Sequence, residues 1–327
     1  METTTLNGVR VSRIGLGTWA IGGSEWGAVD EQEAIATCTG MLELGINLID
    51  TAPIYGSGRA EEIVGKAIAA HGRREDFYIA TKAGLHRGGD RVVVDGRAES
   101  IRAEIDQSLR RLRTEYVDLY QLHWPDPLTP VEESAEAFLR LYEAGKIRAL
   151  GVSNCSPEQM DAFRSIAPLH SSQPPINLFE QQAAREVLPY CHKRGIGVLA
   201  WSALCRSLLT GKIRADQTFP AGDIRTIDPK FQPPRLQQYV RAVDLLDAYA
   251  QQHYGKRVLH LALRWLLDQP GVSVALWGAK RLEQLAPARE AVDWRLKPAD
   301  MHAIDAILTE TIQDPVGPEY LSPGVRG

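Results

Sequence analysis

The chain has 327 residues, of which 44% are hydrophobic and 24% charged, and its formal net charge of −4 gives no indication of a nucleic-acid partner. No apolar run approaches the roughly 20 residues that cross a bilayer, the N-terminus lacks a signal-peptide pattern, and the four cysteines are not spaced like a zinc site or a disulfide framework. We therefore expect a cytoplasmic protein with no metal, membrane or nucleic-acid partner.

A β-hairpin is predicted first, at residues 6–11, because Asn7 and Gly8 form the central pair of a tight turn. Short apolar runs then alternate with longer helical patterns, which is typical of repeated βα units around a parallel sheet. The runs predict eight strands, at residues 12–17, 46–52, 77–83, 117–123, 148–153, 171–176, 198–202 and 272–277.

The segments between these strands have helical signals. Apolar residues such as Ile101 and Ile105 recur at helical spacing. Ser156 and Gln159 form a capping box, with Pro157 at the first helical position, so a helix should begin directly after the fifth strand. Glycines stand where other helices should stop, at Gly45, Gly72, Gly145 and Gly195.

Eight strands and eight helices without a break in composition predict an α/β fold, a (β/α)8 TIM barrel formed by one domain over residues 1–327. The N-terminal hairpin would close the bottom of this barrel. The stretch 211–234, rich in proline, aspartate and arginine, is expected to be a long loop after strand 7. Loops of that length are usually functional or disordered, and its place at the C-terminal face of the barrel favours a lid.

Three predicted strands end in residues of demanding chemistry, Asp50, Lys82 and His123, and Tyr55 follows the first of them. The C-terminal ends of barrel strands are where active sites of this fold lie. Tyrosine has a pKa near 10, and it becomes a useful acid when a lysine ammonium stabilises its phenolate and a carboxylate keeps the lysine charged. A histidine could orient a carbonyl oxygen. Together the four residues describe proton delivery to a carbonyl that receives a hydride.

Each of these residues also has an ordinary structural interpretation. Asp50 could cap the turn after its strand, and Lys82 could extend its ammonium group to solvent. Tyr55 could pack on the rim of the barrel, and His123 could be a hydrogen-bonded core histidine. If all four residues were merely structural, their occurrence together at one face of the predicted barrel would be a coincidence.

Several motifs occur in one order that resembles the aldo-keto reductase superfamily nearly end to end: residues 50–56, 80–82, 118–123, 145–148 and 151–154. Residues 124–127 and 314–318 make the chain most similar to bacterial reductases related to general stress protein 69. The resemblance implies an NADP-dependent enzyme that reversibly reduces small aldehydes or ketones by hydride transfer from the nicotinamide. It also implies that Tyr55 is the general acid, that Asp50 and Lys82 tune it, and that His123 orients the carbonyl.

The cofactor site follows from the resemblance and not from a Rossmann motif. The glycine-rich segment 15–20 is followed by residues 21–24, which break any helix, so we reject a Rossmann fingerprint there. The resemblance implies that the cofactor is contacted at its nicotinamide end by Gly17, Thr18, Trp19, Asp50, Ser153, Asn154 and Gln173, with Trp201 stacked on the ring. It implies that the pyrophosphate is contacted by Ser202, Leu204, Arg206 and Lys212, with Arg225 as a clamp.

The last βα junction predicts a phosphate site. Lys280 and Arg281 lie at a predicted helix start, where cations are unfavourable unless an anion joins them. A phosphate would remove that conflict, which suggests the 2′-phosphate of NADP; a solvated pair of surface charges is the alternative. The resemblance places the 2′-phosphate at this junction, which includes Gly278, and puts Gln284 beside the adenine. Ser207 stands where many relatives have glycine, which affects the backbone near the pyrophosphate. Pro287 and Ala288 stand where many relatives have an acidic residue and asparagine against the adenine, so we expect a weaker adenine contact.

The substrate, a small carbonyl or alcohol such as glyceraldehyde or methylglyoxal, is expected in a confined pocket framed by Trp19, Trp26, Tyr55, His123 and Trp124, with the tail near Tyr320. The resemblance leaves the oligomeric state as a monomer or weak homo-oligomer. Two other functions stay open. One is a Schiff-base aldolase that uses Lys82, and the other is a sensing subunit that holds NADPH and turns over slowly.

Overall fold

The computed structural model of the protein describes residues 1–88 and 91–326. Twelve strands occur in this part of the chain: β1 (Thr3–Leu6), β2 (Val9–Ser12), β3 (Ile14–Gly17), β4 (Leu48–Asp50), β5 (Tyr78–Ala83), β6 (Leu85–Gly88), β7 (Arg91–Val94), β8 (Leu119–Leu122), β9 (Leu150–Ser153), β10 (Ser171–Gln173), β11 (Gly197–Ala200) and β12 (Val272–Gly278).

The helices of the same described residues connect and surround the strands. They are α1 (Trp19–Gly22), α2 (Glu31–Gly40), α3 (Arg59–His71), α4 (Ala98–Leu112), α5 (Val131–Glu143), α6 (Pro157–Ile166), α7 (Gln182–Arg194), α8 (Arg235–Tyr254), α9 (Val258–Asp268), α10 (Leu282–Leu285) and α11 (Pro298–Thr311). Among them no helix combines the length and apolar character that a bilayer crossing requires.

Eight of the strands close into a parallel barrel in the order β3, β4, β5, β8, β9, β10, β11 and β12, and β12 pairs back with β3. The predicted (β/α)8 barrel is confirmed, and each of the eight predicted strands is present. Their ends differ by a few residues: the second, predicted at 46–52, is regular only over Leu48–Asp50. All six residues of β5 are buried, as expected for a parallel sheet that is covered on both faces.

The hairpin of β1 and β2 closes the bottom of the barrel, as predicted. Leu6 and Val11 belong to one buried cluster with barrel residues that include Leu48, Tyr78 and Val274. A Cβ atom at Gly197 would lie 2.5 Å from Leu6 Cδ2. Leu6 is thus packed directly against the first residue of β11, and a larger residue there would force the side chain of Leu6 to shift.

The predicted helix ends are also found. Ser156 Oγ accepts from Gln159 N, and Gln159 Oε1 accepts from Ser156 N, which completes the capping box of α6. Gly72 and Gly195 end α3 and α7 in the left-handed conformation. These caps satisfy backbone groups that helix termini otherwise leave without partners.

Two features beyond the repeated βα unit shape the mouth of the barrel. The strands β6 and β7 form an antiparallel hairpin directly after β5, which the sequence analysis did not predict. The C-terminal tail pairs with it, because Val94 N donates to Gly324 O and Gly324 N donates to Val92 O. The long loop predicted after the seventh barrel strand follows β11 in the structure. It contains short 3-10 turns at Ile224–Thr226 and Pro229–Phe231 before α8 begins.

Shortening Leu6 tests the role of the N-terminal hairpin. Leu6→Ala should lower the free energy of unfolding by about 3 kcal/mol, because it leaves a cavity at the closed end of the barrel. Val9→Ala, at a residue of the same hairpin that is 44% exposed, is the matched control and should change it by less than about 0.5 kcal/mol. Urea unfolding measures both values, and equal effects would contradict the assigned packing.

Candidate active site

The predicted catalytic residues meet at the C-terminal ends of adjacent strands. Asp50 ends β4, Lys82 lies near the end of β5, and His123 directly follows β8, while Tyr55 lies in the turn after β4. Lys82 Nζ donates to Asp50 Oδ2 at 2.6 Å and to Tyr55 Oη at 3.2 Å. It also donates to the carbonyl oxygen of Thr51 at 3.0 Å. The ammonium group therefore has three oxygen partners, one of which is the phenol.

Two glutamines fix the carboxylate under this lysine. Asp50 Oδ1 accepts from Gln173 Nε2 at 2.7 Å and from Gln121 Nε2 at 3.4 Å. Gln121 also accepts from Gln173 Nε2 at 3.3 Å, so the amides and the carboxylate form one buried network. The sequence analysis did not single out Gln121, although it lies in the motif that ends in His123. Its polarity within an apolar strand was the signal that could have identified it.

The ion pair keeps Lys82 charged although it is fully buried. Burial acts to lower the pKa of Lys82, but the attraction of Asp50 and Tyr55 outweighs it, so the net pKa is raised. The ammonium form is therefore stable at neutral pH, and it faces the phenol permanently.

Tyr55 and His123 are both uncharged at neutral pH. Burial raises the pKa of Tyr55 above its ordinary value, even though Lys82 acts in the opposite direction. Burial, with a smaller contribution from Lys82, holds the pKa of His123 well below its usual value. The rings are 5.9 Å apart and nearly perpendicular, at 83°. The site thus presents a phenol proton and a neutral imidazole to the same space, and the effect of burial on the pKa of Tyr55 outweighs that of Lys82.

A backbone contact fixes the turn that carries Tyr55. A Cβ atom at Gly22, the last residue of α1, would lie 2.7 Å from the backbone of both Tyr55 and Gly56. Gly56 has φ of +60°, and a Cβ atom there would lie 2.2 Å from Gly22 O. Side chains cannot be accommodated at this distance, so the two glycines let α1 press directly on the turn after β4.

A cavity of about 960 Å³ opens over these residues. Trp19 lies nearly parallel to the ring of Tyr55, with 6.2 Å between centroids, and Trp26 meets Trp19 edge-on at 5.4 Å. All five predicted pocket residues line this cavity: Trp19, Trp26, Tyr55, His123 and Trp124. From the tail, Leu321 and Pro323 line it as well.

Every predicted cofactor residue lines the same cavity, from Gly17 at one end to Gln284 at the other. At the inner end, Asn154 Nδ2 donates to His123 O at 3.0 Å, and Trp201 Nε1 donates to Asn154 Oδ1 at 3.2 Å. Ser153 Oγ donates to Gln173 O at 2.7 Å. The polar groups expected near a nicotinamide are therefore already ordered by contacts with one another.

Arg206 differs from the expectation of a guanidinium available to a pyrophosphate. Its side chain is only 2% exposed and pairs with Glu180 and, at 2.7 Å through Nε, with Asp228. Lys230 pairs with Glu180 at 2.8 Å, and Tyr320 Oη donates to Asp228 Oδ2 at 2.8 Å. The charge of Arg206 is thus matched inside the protein, and Tyr320 belongs to this buried network and not to the substrate pocket.

The loop that carries Arg206 has an unusual backbone. Cys205, Arg206 and Ser207 all have positive φ, of 44°, 51° and 74°. Left-handed conformations are unfavourable for residues with a side chain. Glycine would adopt the conformation of Ser207 without strain, so serine holds it here at a conformational cost.

Three cations lie at the outer end of the cavity, and one of them, Arg281, pairs with Glu283 at 2.9 Å. Lys280, Arg281 and Arg225 all line it. Burial lowers the pKa of Lys280, and Arg225 and Arg281 lower it further, although Asp223 acts to raise it. Arg225 also forms two hydrogen bonds with Asp223, at 2.8 and 2.6 Å. Arg225, from the long loop, is therefore a third cation beside the predicted pair of Lys280 and Arg281.

The backbone donors of this junction already have an acceptor. Gln284 Oε1 accepts from Lys280 N at 2.8 Å and from Arg281 N at 3.1 Å. Lys280 Nζ donates across the cavity mouth to Trp26 O and, at 3.4 Å, to Ala28 O. An anion would consequently be held here by the side chains of Lys280 and Arg281 more than by free N–H groups.

The connection between α1 and α2 is in contact with the long loop after β11. Ile224 N donates to Glu25 O at 2.9 Å, and the guanidinium of Arg225 lies 5.6 Å from the ring of Trp26. The loop predicted as a lid therefore contacts the opposite wall of the cavity mouth.

Comparison with known proteins agrees with this geometry. The model of the aldo/keto reductase family matches residues 13–309. The chain is 52% identical to the aldo-keto reductase YhdN of Bacillus subtilis strain 168, over 100% of this chain and 99% of the relative. It is 34% identical to the NADH-specific methylglyoxal reductase of Escherichia coli K12, over 89% and 93% of the two chains.

A solved structure gives the same result for the fold. The glycerol dehydrogenase AKR11B4 of Gluconobacter oxydans superposes with a TM-score of 0.88 at 47% identity, covering 98% of this chain and 99% of that one. The chain belongs to the aldo-keto reductase family, whose members are oxidoreductases that use a nicotinamide cofactor and act on small carbonyl compounds.

An added methyl group at Gly22 tests how Tyr55 is positioned. Gly22→Ala should lower kcat for aldehyde reduction at least tenfold, because displacing a reacting group by about 1 Å can cost a hundredfold. Gly72→Ala, at the end of α3 and outside the cavity lining, adds a methyl group with nothing within 4 Å but strains its own backbone, whose φ is +81°. It therefore controls for lost stability and should keep kcat within about twofold. Steady-state kinetics at saturating cofactor measure both; an unaltered kcat in Gly22→Ala would contradict the proposed constraint.

Proposed function

We propose that this chain is an NADP-dependent reductase of small aldehydes and ketones that also runs in reverse as an alcohol dehydrogenase. The observation that carries the proposal is the buried chain of contacts from Asp50 through Lys82 to the phenol of Tyr55, which faces the same cavity as neutral His123. The whole chain, residues 1–327, would act as one domain. Four buried free cysteines support a reducing, cytoplasmic setting.

Each catalytic group has a distinct task. The substrate carbonyl oxygen would lie between Tyr55 Oη and the imidazole of His123, which orients it by a hydrogen bond. Tyr55 donates its proton to that oxygen, and the nearby ammonium of Lys82 stabilises the phenolate that remains. Because the site is buried, this electrostatic stabilisation is stronger than it would be in water. Asp50 balances the lysine charge throughout.

The inner cavity fits a nicotinamide. When bound, the cofactor supplies the hydride that Tyr55 complements with a proton. Asn154 and Gln173 offer amide groups to the carboxamide, and Trp201 offers an aromatic face to the ring. The volume of about 960 Å³ lies within the range of about 300–1,000 Å³ typical of ligand cavities.

The preference for NADP is proposed from the three cations at the outer end of the cavity. Lys280 experiences repulsion from Arg225 and Arg281, and a bound phosphate dianion would relieve it. The relative named as NADH-specific shows why this preference requires its own test.

The contacts of Lys82 argue against the aldolase alternative. A Schiff base requires a neutral, nucleophilic amine. Here the pKa of Lys82 is raised by Asp50 and Tyr55, which favours the ammonium form. The other alternative, a sensing subunit that holds NADPH, differs from the reductase only in its slow turnover. A measured kcat therefore decides between the two.

Removing the phenol tests the proton donor. Tyr55→Phe should lower kcat/KM for aldehyde reduction at least about a hundredfold, because it removes the acid and leaves the cavity shape intact. NADPH affinity, followed by quenching of protein fluorescence, should change no more than about twofold. Tyr190→Phe, which removes a hydroxyl bonded to Asp161 on the helical surface, is the control. Retained turnover in Tyr55→Phe would show that another group delivers the proton.

Removing the cation pair tests cofactor preference. The double variant Lys280→Ala and Arg281→Ala should lower the ratio of kcat/KM for NADPH to that for NADH at least tenfold, since each cation contributes to phosphate binding. Lys193→Ala with Arg194→Ala removes another adjacent Lys-Arg pair, at the end of α7, and should leave the ratio unchanged. If both double variants keep the ratio of the unaltered protein, the phosphate lies elsewhere.

A further inference from the structure

A charged pair, Glu25 and Arg87, lies at the rim of the substrate end of the cavity and has no role in the proposed reaction. Arg87 Nη2 lies 3.3 Å from Glu25 Oε1, and the side chains are 39% and 30% exposed. Both residues line the cavity. The pair is therefore accessible to a molecule in the cavity and is also partly hydrated.

Hydrogen bonds tie this pair to the surroundings of Tyr55. Glu25 Oε2 accepts from Trp19 Nε1 at 3.3 Å, and Trp19 lies nearly parallel to Tyr55. Arg87 Nε donates to Ser57 Oγ at 3.1 Å, two residues beyond Tyr55. The carboxylate also contributes to the charge environment of the phenol, since it acts to raise the pKa of Tyr55. The pair is thus separated from the proton donor by about one side chain.

The two charges determine what the rim accepts. A substrate carboxylate or phosphate would be attracted by Arg87 but repelled by Glu25, and a cationic substrate would meet the reverse. An alkyl chain would displace water from both charged groups and could not replace the hydrogen bonds that the water makes with them, which is unfavourable. A hydroxyl group is both a donor and an acceptor. It can donate to Glu25 and accept from Arg87 while the pair stays neutral as a whole.

We propose that Glu25 and Arg87 are specificity-determining residues that select uncharged carbonyl substrates with hydroxyl groups, namely short hydroxyaldehydes and hydroxyketones, and polyols in the reverse direction. With the carbonyl oxygen between Tyr55 and His123, the remaining carbons of a short chain extend toward the rim. The aromatic wall of Trp19 and Trp26 limits their number. This inference rests on the proposed reductase function and assigns its substrate class.

Two aldehydes with the same three-carbon chain test the assignment. D-glyceraldehyde carries two hydroxyl groups and propionaldehyde carries none. With saturating NADPH, the unaltered protein should prefer D-glyceraldehyde in kcat/KM, and Glu25→Met and Arg87→Met should each lower that preference at least tenfold, mainly through KM, because the hydroxyl contacts are lost. The full chain is used throughout, and thermal unfolding and NADPH binding verify that each variant is folded.

Lys146→Met is the matched control. It breaks an ion pair with Asp106, at 2.5 Å and with side-chain exposures of 39% and 48%, between residues that do not line the cavity. It should retain the preference of the unaltered protein. The same preference in Glu25→Met and Arg87→Met as in this control would overturn the assignment.

Glyoxylate, an aldehyde with a carboxylate, separates the proposal from a simple anion site. If the unaltered protein favours glyoxylate over D-glyceraldehyde and Arg87→Met abolishes that advantage, Arg87 binds anions and the hydroxyl assignment is wrong. Failure of the proposed function has a different signature, because the unaltered protein would then reduce none of the three aldehydes with either nicotinamide cofactor. Reduction of propionaldehyde with no preference for D-glyceraldehyde would overturn the specificity inference alone.

Discussion

A lysine ammonium buried beside a tyrosine phenol is the constraint on which the site depends. Removing such a charge from water is costly, and Lys82 is accommodated only because Asp50, a backbone carbonyl and the phenol all accept from it. The cost requires that Asp50 be held firmly, which the amides of Gln121 and Gln173 achieve. The barrel supplies these groups from β4, β5, β8 and β10, so four of its eight strands take part in maintaining one proton donor.

The mouth of the cavity is built on different principles from its floor. The floor is a rigid strand array, whereas the mouth joins three connections: the one after β3, the hairpin of β6 and β7, and the long loop after β11. Glu25 links all three, through its carboxylate to Arg87 and through its carbonyl to Ile224. Substrate and cofactor ends of the cavity therefore share one wall, and changes in this wall would affect both.

The sequence predicts the barrel and its catalytic floor well because both follow from local signals. Polar residues such as Asp50 and His123 interrupt apolar runs, and the periodicity of those runs identifies the strands. Gln121 was missed because it lies inside such a run and has a role only when Asp50 is nearby in space. The partners of Arg206 were missed for the same reason, since Glu180 and Asp228 come from distant segments. The hairpin of β6 and β7 was missed although the sequence offers a signal, since the amino acids Gly-Gly-Asp at positions 88–90 favour a turn and are followed by three consecutive valines.

The buried charge network around Arg206 has a consequence for how this protein can be changed. It joins the connection after β10, the loop after β11 and the C-terminal tail, through Glu180, Asp228, Lys230 and Tyr320. Replacing one member would leave a partner charged and buried without compensation, which typically costs several kcal/mol. A tail or loop grafted from another barrel would therefore have to bring its counter-charges with it. These three segments can therefore be exchanged only together, because each of them contributes side chains to the same buried network.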